Sequence, residues 1–236
     1  MPFHHFHRLQ IAVLLAAASS LNADALRVNP LAKSQQLPLS KSDRAAQEVN
    51  LGWIPPELSG AGLQWMGLEG EVPSWKDIRG QIIVLQSFRA PSPQILKVRE
   101  SIEALDTNDV LFLPVHTPDR AERFDEAKRS SAGLDGIPVL VDGHGELCDR
   151  FGFRRKTTNA IVDRRGVVAA VGVRTEALAG LLREMVAVDK EKALDSKPEK
   201  RSAPKASDYP SHNPQVGSAT NRQGEDAPEF SVAQWV

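Results

Sequence analysis

The run "QIIVLQSFRAPSPQILKVRE", residues 81–100, constrains the fold more than any other part of the chain. Its first half is almost continuously apolar and rich in branched residues, the pattern of a strand buried on both faces. A short turn with Pro91, Ser92 and Pro93 follows. Ile95, Val98, Ile102 and Leu105 then recur at helical spacing and give the next segment one apolar face. A strand buried on both faces needs a covering layer on each side, so this stretch implies an α/β domain.

The pattern continues regularly from Leu63 to Val188. "LQWMGL" reads as an opening strand and "DVLFLPVHT" as a second central one. "RAERFDEAKRSSA" reads as a charged surface helix, "GIPVLVD" as a strand and "GELCDRFGF" as a short helix. "TNAIVD" and "VVAAVGV" are strands joined by the tight turn "RRG". "TEALAGLLREMVAV" closes the domain as a helix that Thr175 caps. This order predicts a parallel central pair extended by an antiparallel hairpin, with helices on both faces.

The flanks differ in composition. Arg8, the apolar run "IAVLLAAASSL" and "NADA", with Ala23 and Ala25 at the small-residue positions, read as a signal peptide over 1–25. That run is about half of the ~20 residues a membrane-spanning helix needs, so no stable membrane span is expected. Residues 26–60 are polar with scattered prolines and read as a loosely ordered leader that packs Trp53 and Ile54 onto the domain. The domain itself occupies 61–188. Residues 189–226, rich in Lys, Ser, Pro and Asn, read as a disordered linker. The apolar tail "APEFSVAQWV", 227–236, has two readings: a strand that folds back, or the start of a missing second domain.

Net charge is −1 with both signs interspersed, and no basic cluster is interleaved with aromatics, so no nucleic-acid partner is expected. One cysteine excludes an intramolecular disulfide and a cysteine-based zinc site, and no cofactor is expected.

Four segments in order, "GLEGEVPSWKDIRGQIIVLQSF", "DVLFLPVHTPD", "IPVLVDGHGELCDRFGF" and "TTNAIVDRRGVVAAVG", resemble the thioredoxin-like redoxins. That group includes thiol-disulfide interchange proteins and the alkyl hydroperoxide reductase/thiol-specific antioxidant type. The resemblance covers a little over half the chain and implies a thioredoxin-like fold, a central mixed sheet with helices on both faces. It also implies a site with two thiols at the turn after the first central strand. Laying Phe88 and Ala90 on the redoxin motif puts Pro93 and Leu96 at the thiol positions, and Thr157 where a cis-proline stands. A peptide bond before threonine is expected to be trans. Proline and leucine supply no thiolate, the nucleophile of both chemistries. The tail's "GEDAPEFSV" is similar to the opening phrase of a redoxin domain.

Each remaining candidate has a plain structural reading beside the functional one. Cys148 is a buried apolar thiol, or a single reactive thiol activated by Arg150, Arg154 and Arg155. His116, with Asp119 nearby, is a strand-exit ligand contact or a loop residue capping the next helix; two ligands are too few for a metal, and none is expected. Arg89 and Arg99 are surface arginines, or with Ser92 at the helix start they make a cationic mouth for an anion or acidic peptide. Trp53, Trp65 and Trp75 pack beneath the sheet or expose one recognition ring. Arg89, Ser92, His116 and Thr157 are the binding candidates.

The reading that follows is an exported, redox-inactive thioredoxin-like domain serving as a binding or accessory module for a protein or peptide, in the periplasm or cell envelope or secreted. The alternative is a thiol-disulfide oxidoreductase or peroxidase-type antioxidant protein using Cys148 with an external thiol. A third is a spacer whose tail adds a strand to another body.

Overall fold

The computed structural model describes residues 31–153 and 156–195. The segment read as a signal peptide, the first residues of the leader, Arg154, Arg155, the part of the expected linker beyond Asp195 and the apolar tail lie outside the described residues.

Six strands form one sheet in the order β1-β4-β3-β2-β5-β6. They are β1 (Leu63–Met66), β2 (Ile82–Phe88), β3 (Val110–His116), β4 (Val139–Asp142), β5 (Asn159–Val162) and β6 (Val168–Val171). β2, β3 and β4 run parallel; β5 joins β2 antiparallel, and β6 joins β5 antiparallel through the tight turn. β1 pairs antiparallel with β4 at the far edge, so "LQWMGL" finds a partner distant in sequence.

All seven residues of β2 are buried, as its continuous apolar run requires. Ile82, Val84 and Phe88 face one layer; Ile83 and Leu85 face the other. Helix α2 (Pro93–Glu103) covers the first face beside α5 (Thr175–Val186), through Ile95, Val98, Ile102, Leu178 and Leu182. The second face is covered by Leu147, Cys148 and Phe151 of α4 (Glu146–Phe151). Each fully buried Leu, Ile or Phe contributes about 1.5–3 kcal/mol.

Several elements depart from the sequence expectation. The charged helix breaks in two: a 3-10 turn at Ala121–Arg123 and α3 (Glu126–Ser131). Phe124 causes the break, leaving helical geometry to bury its ring against Phe88 and His116, after which Asp125 caps the new helix through Lys128 N. Helix α5 is preceded by Arg174, which makes no side-chain cap; Thr175 is its first residue. The leader contains α1 (Lys41–Glu48), capped by Ser40 and carrying the buried Ala46 and Gln47. α6 (Lys190–Asp195) lies within the segment read as linker; it buries Ala193, and the Arg79 guanidinium donates to Leu194 O. Ile54 is half exposed and does not pack in as expected, while Trp53 is partly buried.

The leader is bound to the sheet by backbone hydrogen bonds. Gln36 bridges Val173, Leu37 N donates to Gly172 O, and Arg174 N donates to Gln35 O. Further on, Gly52 N donates to Val168 O, and Val168 N donates to Trp53 O. The leader therefore holds β6 at both ends.

Candidate functional site

Parallel strands present their carboxyl ends at one rim of a sheet, where α/β folds gather functional groups. Here that rim holds the ends of β2 and β3, the turn into α2, and the entry to β5.

The turn is set by its prolines. Ser92 has extended geometry at the N-cap but makes no side-chain cap, and its Oγ is buried without a hydrogen-bond partner. Pro93 at the first helical position presets the backbone angle and brings no N–H. Ile95 N donates to Ser92 O at 3.2 Å. The start of α2 thus offers few free amides to an anion. Pro91, Pro93 and Leu96 are exposed, giving the turn an apolar surface where the resemblance places two thiols.

Of the two readings of Arg89 and Arg99, the geometry favours ordinary surface arginines over a cationic mouth. Arg89 pairs with Asp119 at 3.7 Å, both about half exposed, and Arg99 pairs with Glu103 at 2.6 Å while donating to Gly133 O. Both arginines thus have carboxylate partners.

His116 is not a helix cap. It ends β3, is 2% exposed, and packs edge-on to Phe88 and tilted against Phe124, with centroids at 5.1 and 4.4 Å. Its Nδ1 lies 2.7 Å from Thr117 O and its Nε2 3.0 Å from Arg89 O. Burial holds its pKa below the ordinary 6.5, against the opposing pull of those two carbonyls and Asp119.

Thr157 is half-buried and precedes the entry to β5; its peptide bond to Lys156 is trans. The next residue, Thr158, is fully buried. Ser87 N donates to Thr158 O at 2.8 Å, and Thr158 N donates to Ser87 Oγ at 2.9 Å. Thr158 Oγ1 donates to Gln47 Oε1 on α1 at 3.2 Å, and Gln47 Nε2 donates to Gly152 O at 3.3 Å. Asn159 binds both backbone groups of Val173, while Gln86 Nε2 donates to Thr158 O. These buried polar residues were not among the sequence candidates. Their one signal is a polar pair, Gln86-Ser87, inside an otherwise apolar strand.

Cys148 lies on the other face of the sheet from α2, 2% exposed among Leu147 and Phe151. Burial pushes its thiol pKa strongly up, and the Asp142 carboxylate adds to this. The structure brings Arg89, Ser92 and His116 to one turn and does not bring Cys148 to it. Trp65 and Trp75 donate to Leu58 O and Pro56 O, which accounts for both ring nitrogens. Among the described residues no group of three or more His, Cys, Asp and Glu side chains is placed to hold a metal ion. A cavity of about 200 Å3 between the leader and β6 is lined by Leu31, Arg44, Glu48 and Val171 and contains none of the site candidates.

No family model and no curated protein matches the chain. Solved structures similar to it include a thioredoxin-like superfamily protein, at 21% identity over 62% of this chain and 99% of that one, TM-score 0.47. A thiol-disulfide isomerase from Corynebacterium glutamicum is 20% identical over 56% and 96%, TM-score 0.44. A putative protein disulfide isomerase from Bacteroides thetaiotaomicron is 17% identical over 57% and 89%, TM-score 0.43. With β3-β2-β5-β6 in this order and these pairing senses, between helices on both faces, the chain has the thioredoxin-like fold that its redoxin resemblance implies.

Proposed function

We propose that this is a redox-inactive thioredoxin-like domain that acts as an exported binding or accessory module. One observation carries the reading: the turn matching the redoxin site presents Pro93 and Leu96, while the single thiol is buried on the opposite face of the sheet. Thiol chemistry needs an accessible thiolate, and Cys148 is neither accessible nor readily ionised. The exposed Pro91, Pro93 and Leu96 beside the Arg89–Asp119 pair give a partner protein or peptide an apolar contact with one polar edge. Export rests on the signal-like N-terminus, and no described helix is long and apolar enough to cross a membrane.

The test is a paired turnover assay of disulfide reduction and peroxide consumption on the chain from Leu26 to Val236, with Cys148→Ser alongside. Neither protein is expected to turn over. Activity in the parent that disappears in Cys148→Ser would replace this reading with a single-cysteine oxidoreductase.

A further inference from the structure

His116 is held in an arrangement that only one of its protonation states satisfies. Both ring nitrogens face backbone carbonyls, Thr117 O at 2.7 Å and Arg89 O at 3.0 Å. A carbonyl oxygen only accepts. A neutral imidazole carries one N–H, so it donates to one of these oxygens and turns a lone pair toward the other. The imidazolium donates to both. Arg89 opens the turn into α2, whereas Thr117 directly follows His116 on its own strand exit. Of the two ring bonds, the one to Arg89 is thus the one that reaches across the rim, alongside Thr117 N donating to Phe88 O and the exposed Arg89–Asp119 pair.

We infer that His116 is an acid-closed latch on the Arg89–Ser92 turn: the neutral ring keeps its bond to Thr117 and releases Arg89, and the imidazolium holds both. The neutral ring's proton is assigned to Nδ1, whose contact to Thr117 O is the shorter of the two, 2.7 Å against 3.0 Å. The latch concerns the turn itself and stands whether or not the domain is redox-inactive.

The surroundings set where it closes. Burial of the ring, which takes it out of water, opposes the charged form, so closure lies on the acid side of neutrality. Asp119 favours the charged ring and Lys128 on α3 opposes it. Arg89 on the turn pairs with Asp119, and Asp125, beside Phe124, pairs with Lys128 at 3.8 Å. On the β4 side Val141 registers with His116; its neighbour Asp142 accepts from Gly145 N and Cys148 N.

The test is an NMR titration of the chain from Leu26 to Val236, from about pH 4 to about pH 8. Imidazole 15N shifts report which nitrogens are protonated. Amide exchange at Ala90, Ser92 and Ile95, corrected for the intrinsic effect of pH, reports closure of the turn. The expected result is a neutral ring protonated at Nδ1, and amide protection that rises about five-fold or more as the ring takes its second proton. His116→Asn should make that protection independent of pH. The latch is overturned if protection ignores the ring's titration, or if the neutral ring carries its proton on Nε2. The wild-type titration decides this alone if the variant does not fold.

Discussion

Thr158, at the entry to β5, donates its hydroxyl to Gln47 on the leader helix across 111 residues of sequence. Both side chains are buried, Thr158 completely and Gln47 to 1% exposure. The leader is therefore built into the rim of the sheet. Replacing Gln47 by alanine leaves the Thr158 hydroxyl and Gly152 O without these partners, and should cost about 1–3 kcal/mol. Urea unfolding measures this. An unchanged midpoint for Gln47→Ala would mean that the helix adds no stability through this contact.

Gly152 tests the same interface from the other side. Its φ is +70°, and a Cβ there would lie 2.8 Å from the Ala46 carbonyl carbon and 2.9 Å from its oxygen. Gly152→Ala combines left-handed strain of about 1–2 kcal/mol with a clash against backbone that cannot rotate away. A loss of stability of about 2 kcal/mol or more is expected. Differential scanning calorimetry checks this, and a shift below about 2 °C would contradict the packing of α1 on α4.

The thiol offers a direct measure of accessibility. Cys148 should resist a small alkylating agent in the native state and react at an ordinary rate in denaturant. Cys148→Ala should be tolerated at about 1 kcal/mol because the sulfur behaves as a small apolar group. Rapid native alkylation, followed by mass spectrometry, would revive the single-cysteine oxidoreductase.

His116 also makes overall stability depend on pH. Its folded pKa lies below the ordinary 6.5 because burial disfavours the charge. The unfolded chain then binds more protons in the window between the two values, so stability rises with pH through that window. Acidification below 6.5 should lower the urea midpoint, and His116→Asn should lose that part of the slope. The latch closes locally in the same range over which the whole fold weakens. A parent and variant with parallel pH profiles would show that the ring titrates alike in both states.

Thiols placed at the two positions that match the redoxin motif ask whether this turn can hold them in redoxin geometry. In Pro93→Cys combined with Leu96→Cys, the thiols stand at the first turn of an eleven-residue helix. Residue 93 at the helix N-terminus should have a lowered thiol pKa and react about ten-fold faster than the buried Cys148. Thiol titration with and without reductant would also detect a disulfide between the two positions. Failure to form one in a folded protein would show that the turn does not hold redoxin geometry.

The sheet and its two covering helices were legible because apolar periodicity records burial directly: β2 as a continuous run, α2 as a stripe through Ile95, Val98 and Ile102. α1 was not, since "KSDRAAQE" buries only an alanine and a glutamine and has no apolar stripe. The break at Phe124 was hidden because its cause is a long-range contact with Phe88 and His116. The turn's position could be read from Phe88 and Ala90. The partners of His116 could not, because they are backbone carbonyls, which every residue possesses.

The two-point attachment of the leader to β6 bears on how this edge of the sheet is kept from pairing with other chains. β6 is the outermost strand of its side of the sheet, and an uncovered outer strand presents unpaired amides and carbonyls that recruit other chains edge to edge. Leu37 N and Gln35 O take up Gly172 O and Arg174 N at one end, Gly52 N and Trp53 O take up both groups of Val168 at the other, and α1 lies between the two attachments in the chain. A shortened protein beginning at Leu63 would retain every strand of the sheet. It would also leave the backbone groups of Val168, Gly172 O and Arg174 N without these partners, a ready template for edge-to-edge pairing.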